Sequence, residues 1–443
     1  MKIHTTYSVK IKHYNHIFKD TVEIYRHAVD FYIEVALKEW DKLTAIENVQ
    51  FQKTYLQNCT IRTKNNPNPV YPFEDAKKCF YKMPVYLRRA AIAEALGKVS
   101  SYQSNLANWE AMEPSLRGKM PGFPKAGYVF PSLYRGNMYE QTHTYKADIK
   151  VYLRNTWDFI TVDLKKSDMD YIQKHCGNRK HCVPTLQKRG KEWFLDFSFE
   201  ENVKLPVTKA KEQTIVSVDL GINNAATVSV MRANGTILGR HFCKLSKETD
   251  SLHHAINRIK KAQQHGNYKT PRLWNRTKGI NHDIAVKTTH FIMDIAILYN
   301  ADVIVFEHLD RGGKLKGSKK QKLHLWKSQS VQSMVTHKAH RLGIRVSRVN
   351  AWKTSKLAFD GSGPVERGIN GNYSICKFQN GKIYHCDLSA TYNIGARYFI
   401  REILKSLPAR ERLHIEAKVP QCSKRSTCTF STLLSLHAVM LSA

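Results

Sequence analysis

Apolar residues along the chain keep one spacing for a stretch and then change it, and the changes mark out three blocks. A short alternating strand at 7–11 is followed by Phe18, Val22, Tyr25, Val29, Tyr32, Ala36 and Trp40 at three- and four-residue intervals. That period predicts a long amphipathic helix whose aromatics face a core rather than form a base-stacking stripe. A polar Asn/Pro stretch at 65–72 breaks the pattern, and a second helix is expected from about 84 to 109, with Arg88 and Arg89 near its start. From Met120 the spacing shortens to two, with alternation at 150–153, 159–164 and 193–199. These segments predict a small β-barrel or sheet, with a basic loop at 178–191 projecting from it.

The third block opens at 215–222 with Ile-Val-Ser-Val-Asp-Leu-Gly-Ile, a buried-strand composition interrupted by Asp219. Strands at 226–231 and 236–242 follow, joined by an Asn234-Gly235 turn. After an inserted basic stretch comes a helix carrying Ile284, Thr288, Phe291, Ile292, Ile295 and Leu298. A buried strand at 303–306 ends in Glu307, a Gly/Lys loop spans 311–322, and a helix runs through Val331, Met334, Val335 and Leu342. A fifth strand at 344–349 precedes a final helix at about 388–407. Three meandering strands, then helix, strand, helix, strand and helix, is the ribonuclease H-like order. It sets the first and fourth strands side by side at the sheet centre, where open α/β sheets gather ligands at the strands' carboxyl ends.

Composition adds a partner. The 443 residues hold 70 Lys and Arg against 37 Asp and Glu, a net charge of +33, which calls for a polyanion. Nucleic acid fits better than a membrane surface, because no basic amphipathic helix dominates. No apolar run reaches the roughly 18 residues that cross a bilayer, and the N-terminus lacks a signal-peptide core. With nine cysteines, no close pairing and no export signal, reduced thiols in a cytoplasm are expected.

A carboxylate inside a buried strand needs a counter-charge, since an unpaired buried charge costs several kcal/mol. Asp219 in the first strand, Glu307 closing the fourth and Asp387 opening the last helix would converge on one point. Taken singly, each has a plainer reading: a turn cap for Asp219, a surface acid for Glu307, a helix N-cap for Asp387. Together they read as ligands for two Mg²⁺ ions, hard cations that prefer carboxylate oxygen and hold the two oxygens of a phosphodiester displacement in line. The stretch with Arg258, Lys260, Lys261, Arg272, Arg276 and Lys278, and the loop with Arg311, Lys314, Lys316, Lys319, Lys320 and Lys322, are candidates for gripping the nucleic-acid backbone. Trp274, Trp326 and Trp352 are candidates either for base stacking or for packing.

Val-Asp-Leu-Gly-Ile at 218–222, Val-Phe-Glu-His-Leu at 305–309, Thr-Ser-Lys at 354–356 and Asp-Leu-Ser-Ala-Thr-Tyr-Asn-Ile-Gly-Ala at 387–396 resemble the RuvC motifs of TnpB proteins. Those are transposon-encoded nucleases related to compact type V CRISPR effectors. The resemblance implies an RNA-guided endonuclease that cuts double-stranded DNA beside a short flanking motif through one RuvC site. Its guide RNA would come from a transposon or a CRISPR-type array. It implies a wedge β-barrel from 1–14 and 120–210, a helical recognition domain at 15–119, a RuvC nuclease domain from 211–354 and 386–443, and a hairpin insert at 355–385. Asp219, Glu307 and Asp387 would be the metal ligands, and Asn393 either supports them or faces solvent. The family's zinc ribbon is incomplete. Its first Cys-x-x-Cys pair is replaced by Ala358-Phe359-Asp360-Gly361, which leaves Cys376 and Cys386 as at most a weak zinc pair, with His385 a poor third ligand. Structural zinc is therefore not expected. A DNA-joining transposase of the same fold and a nuclease-inactive RNA-guided DNA-binding regulator are the alternatives.

Overall fold

The computed structural model describes residues 1–12, 16–221, 224–308, 328–369 and 371–442. It divides into two compact units, Lys2–Glu201 and Asn202–Ala443 with Met1. Among the described residues no helix is long and apolar enough to cross a membrane.

The first unit begins with strand β1 (Lys2–Lys10) and the helix Ile17–Lys38. Phe18, Val22, Tyr25, Val29, Tyr32 and Ala36 are all buried along that helix, as its period requires. Trp40 starts a separate short helix, Trp40–Thr44. The helix Val85–Glu110 starts just after Pro84, whose missing N–H costs nothing at a helix entrance. Strands β2 (Tyr139–His143), β3 (Lys146–Leu153) and β4 (Thr156–Asp163) form an antiparallel meander. Strands β5 (Lys180–His181), β6 (Thr185–Arg189) and β7 (Glu192–Asn202) join β1 in a second sheet.

Two expectations change here. The β segments are two open sheets rather than a closed barrel, linked by single bridges such as Ile11 with Leu164. The basic stretch 178–191 is not a projecting loop. Gly190 at φ +61° turns β6 back onto β7, and Arg189 pairs across it with Asp196 at 2.8 Å. One hydrophobic core, from Val9 to Phe199, serves the helices and both sheets.

The second unit is built on a five-stranded sheet of β8 (Thr214–Asp219), β9 (Ala226–Arg232), β10 (Ile237–Cys243), β11 (Val303–His308) and β12 (Arg345–Asn350). Its order is β10-β9-β8-β11-β12, with β8 and β11 parallel neighbours at the centre, the anticipated arrangement. Side chains alternate across the sheet. Val216, Val218, Ile304 and Phe306 enter one core, beneath the helices Pro271–Leu298 and Ser328–Arg341. Ile215, Val303 and Val305 enter the other, beneath the helix Cys386–Ser406. The inserted basic stretch is helical, divided between Ser246–Gln264 and the start of Pro271–Leu298. Strands β13 (Glu366–Ile369), β14 (Asn372–Lys377) and β15 (Ile383–His385) form a separate three-stranded sheet just before the last long helix.

Gly395 sets how closely that helix lies on the sheet. A Cβ there would sit 2.1 Å from Met231 Sδ, 3.2 Å from Ser217 Oγ and 3.3 Å from Ile215 Cδ1. Gly395→Val is expected to lower stability by about 1–3 kcal/mol through overpacking, measured by denaturant unfolding. In the first unit, Glu39 accepts hydrogen bonds from Tyr55 at 2.6 Å and Tyr71 at 2.9 Å and pairs with Lys42 at 2.9 Å. Led by the Tyr55 bond, these lower its pKa to about 2. A folded-state pKa below the unfolded one stabilises above the unfolded value, and that stabilisation is lost as pH falls through the folded value. Glu39→Gln is thus expected to be less stable than the parent at neutral pH. The gap should close between about pH 4.5 and 2 in pH-dependent melts.

Candidate active site

The alternation that builds the two cores also aims the acids. Ile215 and Ser217 lie on the face of β8 covered by the helix Cys386–Ser406, so Asp219, two residues on, points the same way. Val303 and Val305 share that face of β11, so Glu307 follows them. The parallel register pairs Val218 with Phe306, and one further step sets Glu307 beside Asp219. Asp387 lies in the first turn of the covering helix. All three residues are half-buried, at the carboxyl ends of the two central strands.

Their charges interact. Burial first, then the negative charges of Glu307 and Asp387, hold the Asp219 carboxyl well above the usual carboxylate range, and Arg367 offsets this only in part. Burial also raises Glu307, while a hydrogen bond from Thr354 and the charge of Arg397 pull it back. Asp387 accepts a bond of 3.2 Å from Asn224 Nδ2, and the helix N-cap position falls to His385, without a side-chain cap. The N-cap reading of Asp387 is therefore not what the structure adopts.

Among the described residues no three His, Cys, Asp or Glu side chains are drawn together tightly enough to hold one metal ion. The carboxylates act on one another through charge, not as a closed ligand set. Their chemistry nonetheless fits a hard divalent cation: they supply oxygen donors, and Asp219 faces more negative than positive charge.

A buried polar scaffold, mostly invisible in the sequence, holds these groups. Thr354 Oγ1 donates to Glu307 Oε1. Asn393, fully buried, donates from Nδ2 to the carbonyls of Thr354 and Leu357, both at 2.9 Å, and accepts from the Phe430 N–H at 3.1 Å. Its solvent-facing alternative is thereby excluded. Gln332 Nε2 donates to the Glu307 carbonyl at 2.9 Å. Arg397 donates to the carbonyls of Asn350 and Trp352, both at 2.8 Å, and of Cys428 at 3.0 Å. Thr354 belongs to the Thr-Ser-Lys motif, but no pattern pointed to Asn224, Gln332 or Arg397.

The other candidates separate. Arg258, Lys260, Lys261, Arg272, Arg276 and Lys278 are exposed on their helices. Arg311, Lys314, Lys316, Lys319, Lys320, Lys322 and Trp326 lie outside the described residues. Trp274 is half-buried and Trp352 is exposed. Cys376 and Cys386 are buried with Ala358 and Phe378, and burial pushes the Cys376 thiol up to about 12. The His385 ring packs on Phe242, with centroids 4.9 Å apart.

Comparison with known proteins finds relatives. A family model described as the Aq_aa04 family matches residues 5–153. The uncharacterized protein aq_aa04 of Aquifex aeolicus (strain VF5) is 30% identical over 124 residues, covering 26% of this chain and 68% of that protein. The TnpB-like protein aq_aa05 of the same organism is 25% identical over 232 residues, covering 47% of this chain and 74% of that protein. Among solved structures, the cryo-EM structure of a Cas12f1–sgRNA–target DNA complex matches with a TM-score of 0.50 at 14% identity. That match covers 86% of this chain and 81% of the other, and at such identity it speaks to fold alone.

Replacing Asn393 by Ala would leave two carbonyls and one N–H without partners in a dry interior. The expected loss is about 2–4 kcal/mol of stability, read by denaturant unfolding, because each orphaned buried group costs about 1–3 kcal/mol.

Proposed function

The chain belongs to the Aq_aa04 family and is related to the TnpB proteins, and from that premise we propose that it is an RNA-guided DNA endonuclease with one RuvC-type site. The observation that carries the proposal is that Glu307 and Asp387, from two other elements, both lie within reach of the charge of Asp219. Nothing in the packing of the described residues needs three acids at this place, and the repulsion of Asp219 by the other two works against it.

In this reading the three carboxylates would hold divalent cations, with Mg²⁺ the natural choice for oxygen donors. Such ions, when bound, activate a water and stabilise the charge that develops on the phosphodiester. The protein's own residues keep the acids in place. Thr354 orients the Glu307 carboxyl, and Asn224 fixes one oxygen of Asp387. Arg367, on β13, brings a positive charge towards Asp219 from the small sheet.

The excess of Lys and Arg supports nucleic-acid partners. Cas12f1 was solved in complex with an sgRNA and a target DNA. By likeness of fold, a guide RNA and double-stranded DNA are the partners proposed for this chain.

The test is cleavage of a DNA duplex by the RNA-loaded protein in Mg²⁺, with Asp219→Ala, Glu307→Ala and Asp387→Ala each compared with the parent. Each substitution is expected to lower the cleavage rate at least about 100-fold while RNA binding is kept, since removing a group that stabilises transition-state charge costs about that much. Equal cleavage by parent and Asp219→Ala would remove the assignment. Joined DNA ends formed without RNA would point instead to a transposase.

A further inference from the structure

A second feature lies beside the acids without belonging to them. A surface cleft of about 760 Å³ is lined by His308, Arg348, Asn350, Trp352, Lys353 and Lys356, together with two small apolar residues. Its volume falls in the roughly 300–1,000 Å³ range of ligand-binding cavities. His308 directly follows Glu307, and Thr354, which holds Glu307, sits between Lys353 and Lys356. The cleft is therefore lined by chain neighbours of Glu307 and Thr354 in the same unit, while the three acids themselves are not among its described lining residues.

Its lining is cationic and aromatic, with no acid among the described lining residues. Trp352 is 61% exposed, so it is not spent on packing. Yet the backbone beneath it is held rigidly. Arg397, itself 4% exposed, donates to the carbonyls of Asn350 and Trp352, and the Trp352 N–H donates to Asn350 Oδ1 at 2.7 Å. The next residue, Lys353, takes φ +56°, which is strained for a side chain of this type, and its ammonium lies 5.8 Å from the indole centroid. Arg348 is linked to the backbone of Glu307: its Nε donates to Gln332 Oε1 at 3.0 Å, and Gln332 donates to the Glu307 backbone carbonyl.

We infer that this cleft is a binding subsite for single-stranded DNA, in which one base stacks on Trp352 and the adjoining phosphates pair with Arg348, Lys353 and Lys356. An exposed indole on a pinned turn costs little further ordering when a base lands on it, and stacking on an aromatic ring tolerates any base. Arg348, Lys353 and Lys356, which line the cleft with the ring, give the backbone its partners. The cleft would hold the strand beside Glu307, so the choice of DNA rests on the function proposed above, whereas stacking and charge do not.

The test is photocrosslinking of the full chain, stripped of nucleic acid at high salt, to a single-stranded DNA decamer of 5-bromodeoxyuridine in EDTA, with adducts mapped by mass spectrometry. EDTA removes catalysis, so subsite and nuclease are read separately. An adduct on Trp352 in a protein that never cleaves in Mg²⁺ would keep the subsite and sink the nuclease. Cleavage without that adduct would do the reverse. Trp352→Ala is expected to cut the yield at 348–356 at least about tenfold, and Trp352→Phe to hold it within about threefold, because stacking needs a ring and not an indole. Lys353→Ala/Lys356→Ala, with the ring intact, should lower the yield and weaken its dependence on salt. Adducts confined to other residues, no adduct at all, or a bromouridine RNA decamer that labels Trp352 more strongly than the DNA would each overturn the inference.

Discussion

At the edge of an apolar sheet the negative charges of Glu307 and Asp387 repel that of Asp219, and much of the second unit reads as an answer to that repulsion. Asp219 ends a strand whose preceding residues feed two dry cores, so its charge is poorly screened. Each acid has a partial answer: Arg367 for Asp219, Thr354 and Arg397 for Glu307, Asn224 for Asp387. None is a close ion pair that would cancel a carboxylate outright. A site left short of positive charge in this way attracts cations, and its acids stay reachable because all three residues are only half-buried.

The repulsion would splay the acids if their supports were loose. Strand pairing places Asp219 and Glu307, and the fit of Gly395 against Met231 and Ser217 brings Asp387 in with its helix. Side-chain hydrogen bonds then lock the loop after β12 to that helix through Asn393 and Arg397. These bonds run to backbone carbonyls, so they fix where the loop lies whatever its side chains are. That explains how the loop can spend Trp352, Lys353 and Lys356 on an exposed surface and still deliver Thr354 to Glu307.

Much of this was legible in the sequence. Apolar runs ending in Asp219 and Glu307 marked the central strands, and the strand order set those two strands side by side. Helical periods located the buried aromatics from Phe18 to Ala36, and Asn234-Gly235 gave the hairpin. What stayed hidden depended on contacts between distant residues. Asn393 reads as an ordinary polar helix residue until Thr354, Leu357 and Phe430 are seen around it. The stretch 178–191 looked like a loop because its Lys and Arg outnumber its apolar residues. Its pairing with β7 is set by Gly190 and by cross-strand partners that no local pattern encodes. The barrel was over-read because alternation reports strands without reporting closure.

Charge of opposite sign at two ranges gives the arrangement its physical logic. The excess of 33 positive charges acts over the whole molecule and draws a polyanion in from solution, within the limits set by salt screening. The acids act over a few ångströms and would push a phosphate away. Nucleic acid close to the carboxylates must therefore be held by cations immediately beside them, not by the distant field. Among the described residues, the side chains that meet this requirement in the segment beside Glu307 are Arg348, on β12, and Lys353 and Lys356, on the turn that also bears Thr354. One short segment thus orients an acid and supplies the attraction that offsets its repulsion, and a shift in that turn would disturb both at once.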